Sequence, residues 1–286
     1  MTEAPAGAQL SGQPALEPNR KRRWLLIAAV AWAVLLLVIA YFSVRGDDPT
    51  VREQHSIAQA SPIVDRALGD IAAAADPNVV VEISGRRVEN GCRITPFRDG
   101  ATLERDITLR TTEADGPALL DRIAQRLPEA YGAGVRQGAG GSKFRADAGE
   151  FVGVKGGLTG PGVATFTATT GCRPTVAGFG REPSPAPQID PEPARLLGAL
   201  GVPDPAPVAR ASAPCPGGGS VQTARATGRG QRPGSLAAAL RPLAGAGAVV
   251  VTDQPEVYAY RTGPLSVVVE ATDGEVRVAT TTGCPG

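Results

Sequence analysis

Two stretches of this chain end alike, Ala168-Thr169-Thr170-Gly171-Cys172 and Thr280-Thr281-Thr282-Gly283-Cys284. Cys92 and Cys215 stand at matching places upstream, so each stretch has a first and a last cysteine. One module used twice constrains the fold strongly, because both copies must satisfy the same order of helices, strands and covalent staples.

The correspondence extends to the openings. Ser61-Pro62-Ile63-Val64-Asp65-Arg66-Ala67-Leu68-Gly69-Asp70-Ile71 aligns with Asp190-Pro191-Glu192-Pro193-Ala194-Arg195-Leu196-Leu197-Gly198-Ala199-Leu200. Each reads as an N-cap residue, proline at the first helical position and apolar residues at helical spacing. Asp76-Pro77 and Asp204-Pro205 follow, and a strand-like run then reaches Ser84 or Ser212 before the first cysteine. Residues 102–111 alternate as a strand and lead to a helix over 117–127 with the stripe Leu119, Leu120, Ile123 and Leu127. Residues 220–227 lead in the same way to a helix over 236–243 with the stripe Leu236, Ala239, Leu240 and Leu243.

A meander of short strands closes each copy. Asp273-Gly274 predicts a two-residue type I′ turn pairing Ala271 with Val276 and Val269 with Val278. Leu265, Val267, Val269 and Ala271 then share a face with Val276, Val278 and Thr280, and period-two parity extends that buried face to Cys284. Ala164, Phe166, Ala168 and Cys172 share parity in the same way.

Four cysteines in an exported region predict two disulfides. Three pairings exist, and the repeat favours Cys92–Cys172 and Cys215–Cys284, one staple per copy. No Cys-x-x-Cys occurs, and the single histidine, His55, falls in the predicted juxtamembrane linker. Structural disulfides therefore fit better than a zinc site or redox chemistry.

Residues 24–44 carry no charge over 21 positions, enough to cross a hydrocarbon layer of about 30 Å. Arg20, Lys21, Arg22 and Arg23 precede the run, which predicts a cytoplasmic N-terminus and an exported remainder. Ile39-Ala40-Tyr41-Phe42-Ser43 offers no small-x-small cleavage site, so a retained signal anchor is expected rather than a cleaved signal peptide. Ala29, Ala31, Ala33 and Ala40 are small residues suited to close helix contact.

Chemistry is harder to find. Net charge is +1 with both signs interspersed, which argues against a nucleic-acid footprint. Aromatics are 4% of the chain against 36 glycines and 26 prolines, so cores must rely on Ala, Val and Leu. The Ala, Gly, Pro and Arg bias resembles that of a high-GC bacterial genome. A hydrolase could use paired carboxylates, and Asp147, Glu150, Glu270 and Glu275 lie on or near predicted strands; Glu270 and Glu275 read as solvated-face charges. The glycine-rich residues 132–143 lack the Gly-Lys-Ser/Thr order of a phosphate loop and read as a flexible hairpin connection. Arg45-Gly46-Asp47 reads as a charged membrane boundary.

The expected fold class is α+β: an N-terminal transmembrane helix, then two tandem duplicated domains. Each is an antiparallel sheet with two short helices packed on one face and one internal disulfide, leaving the other face or the interdomain groove free to bind. The expected organisation is a disordered cytoplasmic tail (1–23), a signal anchor (24–44), a juxtamembrane linker (45–60), repeat one (61–173), a Pro-rich linker (174–189) and repeat two (190–286). No catalytic, cofactor or metal residues are assigned, and no cofactor is expected. The leading functional expectation is a non-enzymatic binding or scaffold module of the bacterial cell envelope, with an envelope protein, lipid or glycan as partner. The alternatives are an accessory subunit contacting a membrane complex through its transmembrane helix, and a surface hydrolase using carboxylates.

Overall fold

The computed structural model describes residues 19–46, 55–176, 178–179, 191–202, 206–230, 234–272 and 274–285. Asp190, Asp204-Pro205, Asp273, the linker prolines Pro183, Pro185 and Pro187, and the tail 1–18 lie outside them. The chain divides into two units, Met1–Thr50 and Val51–Gly286.

The described part of the first unit is the helix α1 (Asn19–Gly46). Its stretch Arg23–Tyr41 has mean hydropathy 2.6 and is long and apolar enough to cross a membrane.

The first element described in the second unit is α2 (Ile57–Ala74), with its N-cap at Ser56, five residues ahead of the expected cap at Ser61. Ser56 caps it: its Oγ accepts the Gln59 N–H, and Gln59 Oε1 accepts the Ser56 N–H at 2.8 Å. This reciprocal capping box, together with the fully buried Ile57 and Ala60, outweighs the preference of proline for a first turn. Pro62 therefore lies inside the helix. Strands β1 (Val80–Ile83), β2 (Arg87–Thr95) and β3 (Arg98–Arg110) follow, then α3 (Gly116–Arg126) and strands β4 (Gly134–Gly138), β5 (Gly141–Asp147), β6 (Gly153–Gly160) and β7 (Val163–Thr169). The second half runs α4 (Pro191–Ala199), β8 (Ala209–Pro214), β9 (Ser220–Gly228), α5 (Leu236–Ala244), β10 (Val249–Asp253), β11 (Val257–Thr262), β12 (Leu265–Thr272) and β13 (Glu275–Thr282).

Both sheets are antiparallel and share one strand order. The first runs β1-β3-β7-β6-β5-β4, with β2 also on β3; the second, read from its other edge, runs β8-β9-β13-β12-β11-β10. β2 is the element that the sequence pattern did not reveal, because its residues are mostly exposed and show no apolar alternation. It exists by pairing with the extended first half of β3 across a turn at Pro96-Phe97. The glycine-rich residues 132–143 likewise contain a strand pair, β4 with β5, rather than only a flexible connection.

One face of each sheet is covered by helices. Leu68 and Ile71 of α2 and Leu119, Leu120 and Ile123 of α3 share a core with Leu103, Ile107, Phe144 and Phe166 of the first sheet. Leu196, Leu197, Leu236 and Leu240 of α4 and α5 cover Val267, Val269, Val276 and Val278 of the second.

The opposite face of the second sheet, expected to be free, is not. Edge strand β1 lies against it, and its alternation serves two layers at once. Val81 and Ile83 enter the first core, while Val80 packs on Ala259, Val268 and Ala279. The N–H groups of Val81 and Ile83 donate to Ser266 Oγ (3.0 Å) and Thr223 Oγ1 (3.1 Å) of the second sheet. An edge strand carries unpaired donors that need acceptors once buried. Side-chain hydroxyls of the other half supply them.

Candidate functional site

The disulfides join Cys92 to Cys172 and Cys215 to Cys284, one within each half. The expected parity of Cys172 and Cys284 does not hold. β7 ends at Thr169 and β13 at Thr282, so strand alternation stops before either cysteine. Both are half-buried, and Cys284 packs against the α2-side core with its Sγ 3.8 Å from Gly69 O.

The carboxylate candidates do not converge. Asp147 is exposed and its Oδ1 accepts the Gly149 N–H. Glu275 is exposed at the start of β13. Glu270, expected to be solvated, instead bridges the halves, accepting from Arg110 at 2.7 Å and from Arg277 Nε at 2.9 Å. The face opposite the helices is itself an interface, so residues of that parity find partners rather than water. Glu150 sits 2.9 Å from His55 Nε2. His55 is thus half-buried against the first half, not a solvated linker residue. Glu150 and the following Phe151 adopt left-handed backbone angles (φ 51° and 60°), and Glu150 O accepts Arg173 Nη2. Of Arg45-Gly46-Asp47, the aspartate lies outside the described residues.

A different site is visible between the halves: a cleft of about 800 Å³ lined from one side by Asp65, Arg86 and Arg105 and from the other by Glu192, Arg210 and Gln222. That size lies within the range typical of ligand pockets. The key to it is Arg105. Its neighbours of the same parity on β3 are Ala101, Leu103, Ile107 and Leu109, all buried, and Arg105 itself is 2% exposed. A guanidinium in an apolar row must be fully partnered. Arg105 Nη1 donates to Asp65 Oδ1 (2.6 Å) and to Ser212 O (3.0 Å), while Nε and Nη2 donate to Ser84 O. One side chain thereby ties α2, the β1–β2 connection and strand β8 of the other half. Asp65 Oδ2 also accepts Arg86 Nη2 at 2.5 Å.

The cleft floor is therefore a fixed Arg–Asp–Arg array. Its remaining polar lining includes Ser212, Ser220, Thr223, Thr280 and Thr282, hydroxyl groups that donate or accept. Among the described residues, no imidazole or thiol lines it. Asp65 is taken by two guanidiniums, and Glu192 accepts Arg195 at 2.5 Å, so neither lining carboxylate is placed as a free proton carrier. The arrangement suits recognition through directed hydrogen bonds.

Sequence reading missed Asp65 and Arg105 as site residues. The signal was a charged residue on the apolar parity of β3, the kind of buried polar group that carries information.

Compared with protein-family models, curated proteins and solved structures, the chain matches none.

Proposed function

We propose that the protein is a single-pass membrane-anchored binding module of the bacterial envelope, non-enzymatic, with its ligand site in the cleft between two halves derived from one duplicated domain. The observation that carries the binding reading is the cleft itself: both halves build it, Arg105 fixes its floor, and its carboxylates are already engaged. Residues 24–44 serve as the signal anchor. The basic cluster before them favours a cytoplasmic N-terminus, and disulfides are stable in an oxidising compartment outside the cytoplasm. The shared strand order and the matching Gly-Cys endings support the duplication.

Replacing residues 24–44 with an unrelated single-pass helix tests the assignment. After chemical cross-linking in the protein's own envelope, the binding-module reading expects the same adducts with either anchor. Loss of all adducts on exchange would instead make α1 the contact surface, as in an accessory subunit of a membrane complex.

A further inference from the structure

We infer that the cleft takes a phosphate- or carboxylate-bearing ligand and that Arg210 engages its anionic oxygens. This rests on the reading of the cleft as a binding site.

Arg210 lies on edge strand β8, opposite Ala224 of β9, and its side chain lines the cleft. Its Nη2 is buried yet has no hydrogen-bond partner among the described residues. Arg105, on the far side of the same cleft, places all three of its guanidinium nitrogens on acceptors. A buried guanidinium nitrogen left without an acceptor forfeits its hydration without compensation, and the acceptors that match its planar fork are carboxylate and phosphate oxygens. The lining carboxylates are committed elsewhere: Asp65 takes Arg86 and Arg105, and Glu192 takes Arg195. Among the described lining residues, Arg86 and Arg105 share Asp65 and Glu192 is held by Arg195, so neither lining carboxylate neutralises Arg210.

The cleft is far larger than a lone oxyanion requires. Ser220, Gln222 and Thr282 around it suit hydroxyls, so the anionic group is carried on a polar, hydroxyl-bearing body. A soluble phosphorylated or uronic sugar and an anionic lipid headgroup present the same chemistry.

The test uses the full-length protein in phosphatidylcholine nanodiscs, titrated calorimetrically with glycerol 3-phosphate, with glucuronate and, as the neutral control, with glucose. At least one anionic probe is expected to bind and glucose is not. Arg210→Met is expected to weaken that binding by about tenfold or more, as loss of a charge-assisted pair does. Its thermal midpoint is expected to stay level or rise, since a partly buried guanidinium without a counter-ion has been removed. Nanodiscs containing phosphatidylglycerol separate the two sources: competition with the soluble probe identifies the headgroup, and its absence identifies a solute. Failure of both anionic probes to bind, or binding unchanged in Arg210→Met, overturns the inference. So does a lowered midpoint in that variant, which would make Arg210 structural. A photo-cross-linker at Gln222 that still traps a partner in the envelope while both anionic probes fail would sink the anion assignment alone; failure there as well would remove the cleft reading too.

Discussion

Arg277 Nη1 donates to Glu82 Oε1 at 2.5 Å, joining β13 of the second sheet to β1 of the first. Arg225 of β9 reaches the same carboxylate from the neighbouring strand, and the Glu82 side chain is only 8% exposed. A buried carboxylate between two guanidiniums holds the halves in one relative position, and the cleft depends on that position. Glu82→Ala leaves the partly buried Arg225 without its anion and Arg277 with Glu270 alone. Breaking such a cluster from one side costs about 3 kcal/mol. Chemical denaturation of the detergent-solubilised protein should show that loss, and a Glu82→Ala/Arg277→Ala double variant should recover part of it.

The same carboxylate makes stability depend on pH. Burial by itself pushes the Glu82 pKa up, but the hydrogen bonds and charges of Arg277 and Arg225 outweigh it and hold the group below its ordinary value of 4.5. A carboxylate with a depressed folded-state pKa contributes stability that is complete above the unfolded value and is lost as pH falls through the folded one. Denaturation midpoints of the wild type should therefore decline below about pH 4.5, set by the unfolded-state value. The decline should be shallower in Glu82→Gln, and equal slopes would remove Glu82 from the account.

Gly69 and Gly198 occupy the same column of the two helix openings, yet their surroundings differ. A Cβ on Gly69 would lie 1.7 Å from Pro214 O, where α2 crosses the second half, whereas one on Gly198 would meet nothing within 4 Å. Gly69→Ala forces α2 and β8 apart and should cost about 2 kcal/mol or more. Gly198→Ala should be neutral or stabilising by up to about 1 kcal/mol through helix propensity. Thermal unfolding of the two variants side by side checks the contrast.

The two disulfides close stretches of 80 and 69 residues. Chain entropy assigns each at most about 4.5 kcal/mol. Their removal should act differently. Cys92→Ser/Cys172→Ser frees β2, which has little core of its own, so hydrogen exchange should rise mainly in β2 and its turn. Cys215→Ser/Cys284→Ser releases a bridge packed beside Gly69, so exchange should rise in α2 as well as in the second half.

Much of the local structure was legible before the fold was known. The pairing of Ala271 with Val276 and of Val269 with Val278 follows from the turn at Gly274, even though Asp273 lies outside the described residues. The α3 and α5 stripes are equally readable, because helical spacing of leucines leaves few alternatives. What was not legible depends on contacts between distant segments. β2 has no apolar period and is held by its partner strand. Glu270 and Arg277 look like surface charges until β1 is laid across their face. Arg105 breaks an apolar row, but its partners Asp65, Ser84 and Ser212 are 40, 21 and 107 residues away. The cleft belongs to this second class, since neither half contains it.

A photoreactive amino acid at Gln222, exposed within the cleft, compared with one at Glu275, exposed at the start of β13, tests the central claim most directly in the cells that make the protein. Binding in the cleft predicts adducts from position 222 and none from position 275. Equal labelling from both, or labelling from position 275 alone, would contradict it.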